Sequence, residues 1–474
     1  MYGLSLAILL LSLNSCFSVI ELTNERIKAL DEMVNTQMKK AKLKTVGLVI
    51  VNQTHVLHEK IYGGDNSITT KSPFIIGSVS KSFTALGILH LNISLKETLD
   101  KFDLKEYIDE KDAKEITVSE LLNHTSGLGP FTSKRIHEKG YFNYSNQGYG
   151  LLGKIIEKKS KENYDVYMKE KIFGPAKMKD TFAKFKNEII DSYINFLGFR
   201  SKYSNIKSDM GDNGFNIPAG FISSTIEDMG KYIQYYYLNP ENEEYVTEMT
   251  NKTIPVAYKQ EYGMGIIVQD KNGLKIYKHQ GIVNSFLSLL TIYPKHEMGF
   301  FVVTNTRDSF CSVPADEFMN NIERFLLYDY YESISTNSFY MVHFALDVIY
   351  LLIIAIPLTY LIVTIVRKAK KTKYSWFIEI KGKIIFGLDV FFLIIIPLLI
   401  IFVFYFEPNL KSLLTNTKDF LFVIWTIFAI ALLTFIIKLI YKFIYDKYFK
   451  KYERATTEDL RYKDLDRIEV EAND

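Results

Sequence analysis

The spacing of apolar positions changes along the chain, and the changes divide it. Over 24–42, Ile27, Leu30, Met33 and Met38 recur at helical intervals behind Asn24, a helix-capping residue type, so this stretch predicts an amphipathic helix. TVGLVIVNQTHVLHEKIYG (45–63) has β-branched runs on either side of Asn52-Gln53 and predicts a hairpin. FIIGSVSKSFTALGIL (74–89) opens with small and hydroxyl residues and continues apolar, as the start of a buried helix does. From about 91 to 250 the pattern is mostly helical with loops, as in ITVSELLNH, YSNQGYGLLGKIIEKKS and SSTIEDMGKYIQYYY. Strand patterns return from Tyr262 in YGMGIIVQ, LKIYKHQG, NSFLSLLTIYP and MGFFVVTN, with turns at DKNG and Lys295-His296-Glu297; a helix over 314–330 closes the series.

Strands at both ends of a helical block predict an α+β domain over 24–332. Its architecture would be an antiparallel sheet flanked by helices with an inserted helical subdomain, and the cleft between the two parts is the natural place for a site. Beyond it lie three apolar runs, 344–366, 384–406 and 420–440, each close to the ~20 residues a membrane helix needs. They predict three transmembrane helices. Arg367, Lys368, Lys370, Lys371, Lys373, Lys381 and Lys383 would put the first loop in the cytoplasm. Lys442, Lys447, Lys450, Lys451 and Arg454 would do the same for the tail over 441–474. The opening MYGLSLAILLLSLNSC reads as a signal peptide over 1–18. Together these predict a multi-pass membrane protein whose 24–332 domain is extracytoplasmic, at the cell surface or in a lumen, with a possible membrane partner for the spans.

Composition narrows the function class. The net charge of +3 over 474 residues gives no electrostatic case for nucleic acid. Two cysteines, Cys16 and Cys311, cannot build a disulfide framework or a Cys-based zinc site. The histidines form no H-E-x-x-H pair, so no metal and no cofactor is expected.

Candidate chemistry centres on Ser78. If Gly77-Ser78 opens a helix, Lys81 lies on the same face. A serine hydroxyl needs a neighbour to take its proton, and apolar Phe83, Leu86 and Ile88 could desolvate the lysine so that it can do so. The spacing alone does not decide between a nucleophile and a capped core helix, because Ser204 and Lys207 repeat it. Tyr203-Ser204-Asn205 likewise repeats Tyr144-Ser145-Asn146. Order decides. GSVSK is followed by LLNHTSGL (121–128), FNYSNQGYGLLG (142–153), PAGFISSTIEDM (218–229), YGMG (262–265) and HQG (279–281).

This ordered set resembles the serine β-lactamase and penicillin-binding-protein superfamily. It is most similar to the class C β-lactamase-related branch, which includes esterases, D-aminopeptidases and D-alanyl-D-alanine carboxypeptidases. The resemblance implies that Ser78 is acylated, that Lys81 handles its proton and that Tyr144 is the lysine's partner. It also implies that Asn146 bonds the substrate amide, that His279 and Gly281 line the substrate strand, and that the N–H groups of Ser78 and Ile282 form the oxyanion hole. His279 stands where β-lactamases carry lysine, and a neutral imidazole is a weaker anchor for a carboxylate. The 126–144 link is short for this branch, and Phe221 replaces a glycine. His124, Asp228 and Cys311 read as structural. The resulting expectation is a membrane-anchored serine hydrolase acting on a small ester or a D-amino-acid-type peptide or amide. A slowly acylating membrane sensor and a pseudoenzyme scaffold are the alternatives.

Overall fold

The computed structural model describes residues 21–196, 199–308, 311–369, 425–430, 432–434, 436–437 and 440. Helix α1 (Asn24–Lys40) is capped by Thr23, whose hydroxyl accepts from the Arg26 N–H at 3.3 Å. An eight-stranded antiparallel sheet then organises the domain. Its strands are β1 (Thr45–Asn52), β2 (Val56–Gly63), β3 (Ile254–Ala257), β4 (Gln260–Tyr262), β5 (Ile267–Lys271), β6 (Leu274–Ile282), β7 (Leu287–Tyr293) and β8 (Met298–Thr304). They lie in the order β2-β1-β8-β7-β6-β5-β4-β3. The N-terminal hairpin therefore joins the C-terminal meander through β1 and β8, which pair from Val46–Thr304 to Asn52–Met298.

β1 reads as a continuous apolar run because helices cover both faces of the sheet. Val46, Leu48, Ile50, Phe300 and Val302 pack with Leu30 and Met33 of α1 and with Phe318 and Ile322 of the closing helix Val313–Tyr328. The alternate residues Val49, Val51, Phe301 and Val303 face the other way. There they join a larger core with Ile226, Met229 and Ile233 and with the inserted helices. Gly47 is needed at this crossing, because a Cβ would lie 2.7 Å from Ile226 Cγ2.

The insertion contains α2 (Ser80–His90), α3 (Asn146–Ser160) and the short α4 (Ile217–Gly220), which pack on one another. The stretch read as mostly helical with loops also carries a hairpin, Ser192–Phe196 with Phe199–Tyr203, which joins Thr306–Arg307 in a small sheet. Short strands set against distant partners leave no local period to read. The strand Ile254–Ala257 likewise lies ahead of the patterns that begin at Tyr262.

The contact pattern divides the chain into 1–342 and 343–474. Among the described residues no helix is long and apolar enough to cross a membrane. The three predicted transmembrane helices, and the multi-pass membrane location with them, are therefore corrected. The run 344–366 falls in the helix Asn337–Ala369. Residues 384–406 lie outside the described residues, as do part of 420–440, the tail from 441 and the predicted signal peptide. The extracytoplasmic placement rested on the charges of loops between spans and on the signal peptide; the first support is withdrawn with the spans, and the second lies outside the described residues.

Candidate active site

Ser78 sits in a single 3-10 turn, Gly77–Val79, that leads directly into α2. Gly77 has φ +57°, and a Cβ there would lie 2.5 Å from the Gly281 carbonyl carbon and 2.6 Å from the Ile282 nitrogen. Only glycine lets the turn approach β6 so closely. Gly281 is constrained from the other side: its Cβ would lie 2.1 Å from the Ile76 oxygen. Two glycines thus bring Ser78 and Ile282 together from positions about two hundred residues apart. The Ser80 hydroxyl locks the turn, donating to the Gly77 carbonyl at 2.7 Å and accepting from the Ile222 N–H at 3.1 Å.

Lys81 is fully buried on the next turn. Its Nζ lies 3.1 Å from Ser78 Oγ, 2.7 Å from Asn146 Oδ1 and 2.5 Å from the Ala219 carbonyl oxygen. Burial drives its pKa well below the usual lysine range. The same Nζ stands 4.6 Å from the centre of the Tyr144 ring. The Tyr144 hydroxyl lies within hydrogen-bonding reach of the Ser78 side chain. Burial raises its pKa, partly offset by that contact. The environment therefore keeps the phenol protonated.

Asn146 opens α3, and the hydroxyl of Ser145 caps that helix by accepting from the Gly148 N–H at 3.1 Å. The triplet Tyr144-Ser145-Asn146 is thus a helix start, and the cap fixes the residues on both sides of it. Ser204 and Lys207, which repeat the Ser-x-x-Lys spacing, lie in an exposed loop and in the four-residue helix Ile206–Asp209 that follows it.

His279 is buried on β6, and both ring nitrogens are engaged. Nδ1 lies 2.7 Å from the Gln280 carbonyl oxygen, which can only accept, so Nδ1 carries the hydrogen. Nε2 then accepts from the Tyr262 hydroxyl at 3.0 Å. Burial, with Lys81 nearby, pushes the His279 pKa down to about 3. The imidazole is neutral at physiological pH, and its nitrogens already have partners within the protein.

Three residues around the site carry more than sequence reasoning assigned them. His124 was read as structural at the root of the helical insert. Its Nδ1 accepts from the Ser145 N–H at 3.1 Å, and its carbonyl accepts from the Asn143 N–H at 2.7 Å. The backbone on either side of Tyr144 therefore hangs on His124. The His124 ring centre is 4.3 Å from that of Tyr144 and 4.8 Å from that of Tyr262. Burial holds its pKa well below the usual histidine range. Tyr149 lies one turn into α3 and donates to the Leu122 carbonyl at 2.8 Å. Tyr262 opens YGMG, and Gly265 of that motif, at φ +73°, would put a Cβ 2.6 Å from the Lys81 carbonyl oxygen. The available signal was the position of these aromatics inside the quoted motifs. Asp228 lies elsewhere: its carboxylate accepts from the Asp180 N–H and the Thr181 hydroxyl and pairs with Lys231 at 2.8 Å.

Comparison with known proteins covers the same region. The chain is 26% identical over 333 residues to Beta-lactamase-like protein 4 of Dictyostelium discoideum, covering 57% of this chain and 58% of that protein. It is 25% identical over 329 residues to Protein flp of Staphylococcus aureus strain MW2, covering 61% and 65%. The chain thus spans about six tenths of the length of these relatives. Among solved structures, the octameric penicillin-binding protein homologue from Pyrococcus abyssi shares the fold, with a TM-score of 0.54 and 24% identity over 64% of this chain and 77% of that one. The family model described as Beta-lactamase matches residues 30–320, which takes in the sheet, the helical insertion and every motif around Ser78, and the chain belongs to that family of serine-hydrolase type.

Proposed function

We propose that this protein acylates itself on Ser78 and passes the acyl group to water or an amine. The observation that carries this reading is the set of partners around Lys81 Nζ. Asn146 Oδ1 and the Ala219 carbonyl oxygen can only accept, so they take the two N–H groups of a neutral amine. Nζ also lies 3.1 Å from Ser78 Oγ, so a neutral amine would turn its remaining lone pair to that hydroxyl. As Ser78 Oγ attacks the substrate carbonyl carbon, its proton moves to Nζ. The carbonyl π pair becomes an oxyanion facing the N–H groups of Ser78 and Ile282. Collapse breaks the bond to the leaving group, which takes the Tyr144 hydroxyl proton, and the Lys81 ammonium restores it. Water then repeats the sequence on the acyl-enzyme. Tyr144 acts here in the protonated form that its burial favours.

The favoured substrates are small esters and D-amino-acid-type peptides or amides. Neutral, internally bonded His279 supports this reading, because it offers no cation to a substrate carboxylate. The sensor alternative was motivated by three spans and loses that support. A fluorophosphonate probe tests the reading: the wild-type chain should be labelled and Ser78→Ala should not. A folded wild type that stays unlabelled, or a Ser78→Ala variant labelled equally, sinks it.

A further inference from the structure

Asn146 faces Lys81 from the first turn of α3, and the same helix goes on to line a second space. Gly150, Gly153, Lys154 and Glu157 form one wall of a cavity of about 550 Å³, closed by α4 and by residues 210–215. That volume suits a drug-sized ligand. Phe215 is held rigidly in it: the ring stacks on Tyr107 at 5.6 Å, and a Cβ on Gly150 would lie 2.3 Å from its edge.

The charges around the cavity are unequal. Lys154, only 8% exposed, pairs with Glu157 at 2.7 Å, and Lys184 pairs with Asp165 at 2.9 Å. Lys207 has no acidic partner among the described residues; its Nζ stands 5.7 Å from the centre of the Phe185 ring. One uncompensated cation at an aromatic rim matches an anion with an apolar body. Pro218 also lines the cavity. Its carbonyl accepts from the Thr84 hydroxyl at 2.7 Å, and the next carbonyl, Ala219, holds Lys81.

We propose that this cavity binds a small organic monoanion, with its carboxylate at Lys207 and its apolar body against Phe215 and Phe185, and that occupancy reaches Lys81 through α4. The second half rests on the acyl-transfer reading; the first does not. Calorimetry on the full chain with 2-naphthoate as probe tests both. Wild type and Ser78→Ala should bind it equally. The uncharged 2-naphthamide should bind about fivefold more weakly or worse, as loss of one partly exposed charge contact implies. Lys207→Glu, at an exposed position, should bind naphthoate at least about tenfold more weakly. No binding, equal binding of the amide, or unchanged binding by Lys207→Glu overturns the site. Saturating naphthoate should change the fluorophosphonate labelling rate of Ser78 at least twofold in wild type and leave Lys207→Glu unaffected. An unchanged wild-type rate overturns the coupling. Failure of the acyl-transfer reading would show instead as absent labelling with binding intact.

Discussion

Replacing Lys81 by methionine should change how stability depends on pH, and the size of the change follows from burial. Lys81 is fully buried, and its pKa lies well below the lysine value in the folded chain. In the unfolded chain it returns to about 10.4. Between those two values the unfolded state binds one more proton, so the folded state gains stability as pH rises, by about 1.4 kcal/mol per unit. Two pH units inside that window correspond to about 2.7 kcal/mol from this one group. That contribution is lost again as pH falls toward the folded-state pKa. Lys81→Met has no such term. It does leave Asn146 Oδ1 and the Ala219 oxygen without their donor, at about 1–3 kcal/mol each, but that cost does not vary with pH.

The measurement is urea unfolding of both proteins at several pH values, followed by far-ultraviolet circular dichroism. Both tryptophans, Trp376 and Trp425, lie beyond residue 342, so tryptophan fluorescence does not report on this domain. The expected outcome is a stability difference, wild type minus variant, that climbs with pH. Buried tyrosines do not imitate the slope, because their folded pKa values are raised above 10 and they stay protonated across the window. A difference that stays flat would mean that Lys81 is an ammonium in the folded protein. Its lone pair would then be occupied, and Lys81 could not take the Ser78 proton.

Further outcomes follow from the same geometry. Gly77→Ala must place a Cβ 2.5 Å from the Gly281 backbone at φ +57°, so it should lose at least about 2 kcal/mol by thermal or urea unfolding, with labelling of Ser78 abolished. His124→Phe removes the acceptor for the Ser145 N–H and should lower kcat about tenfold with a smaller change in KM. His124→Asn, which tolerates φ +59° and offers an oxygen, should restore most of it, and equal loss in both variants would remove the positioning role. The acid limb of the pH profile of kcat/KM should follow Lys81 losing its proton, with activity rising as pH rises. His279, pushed down to about 3, is neutral throughout, so His279→Asn should leave the position of that limb unchanged above about pH 5. A limb that moves with His279→Asn would assign the titration to the imidazole.

Much of this site was legible because motif order survives folding. Ser78, Lys81, Tyr144 and Asn146 were named from the chain, and the structure gathers them around one amine. The sheet was legible where the strands are nearly continuous apolar, β-branched and aromatic runs, as in β1, β7 and β8, each buried on both faces. The hairpin at 192–203 was not, because its partner, Thr306–Arg307, is more than a hundred residues away. Nor was the engagement of His279. A sequence shows that an imidazole replaces a lysine, but not that Tyr262 and the Gln280 carbonyl use up both of its nitrogens. The membrane reading rested on apolar runs, which are easy to see in a sequence, whereas among the described residues no helix is long and apolar enough to cross a membrane.

The engagement of His279 bears on how the site would hold charge. In the resting protein His279 and His124 are neutral and Tyr144 and Tyr262 keep their protons, while burial drives the Lys81 pKa down and so favours its neutral amine. The groups around Ser78 thus present dipoles rather than fixed charges. Acylation then creates an ion pair where none existed, an ammonium at Lys81 and an oxyanion near the Ser78 and Ile282 N–H groups. Either ion alone would be costly in so dry a place. Formed together and close, they compensate each other: Asn146 Oδ1 and the Ala219 carbonyl oxygen are already placed to accept from the ammonium, and in the proposed reaction backbone N–H groups would donate to the oxyanion. A substrate with its own carboxylate next to the reacting carbonyl would add a third charge with no cation to meet it. Rates for a matched pair of esters, one carrying that carboxylate and one its methyl ester, should therefore favour the uncharged member at least about tenfold in kcat/KM. His279→Lys should narrow the gap, and a wild-type preference for the acid would show that a cation faces the substrate after all.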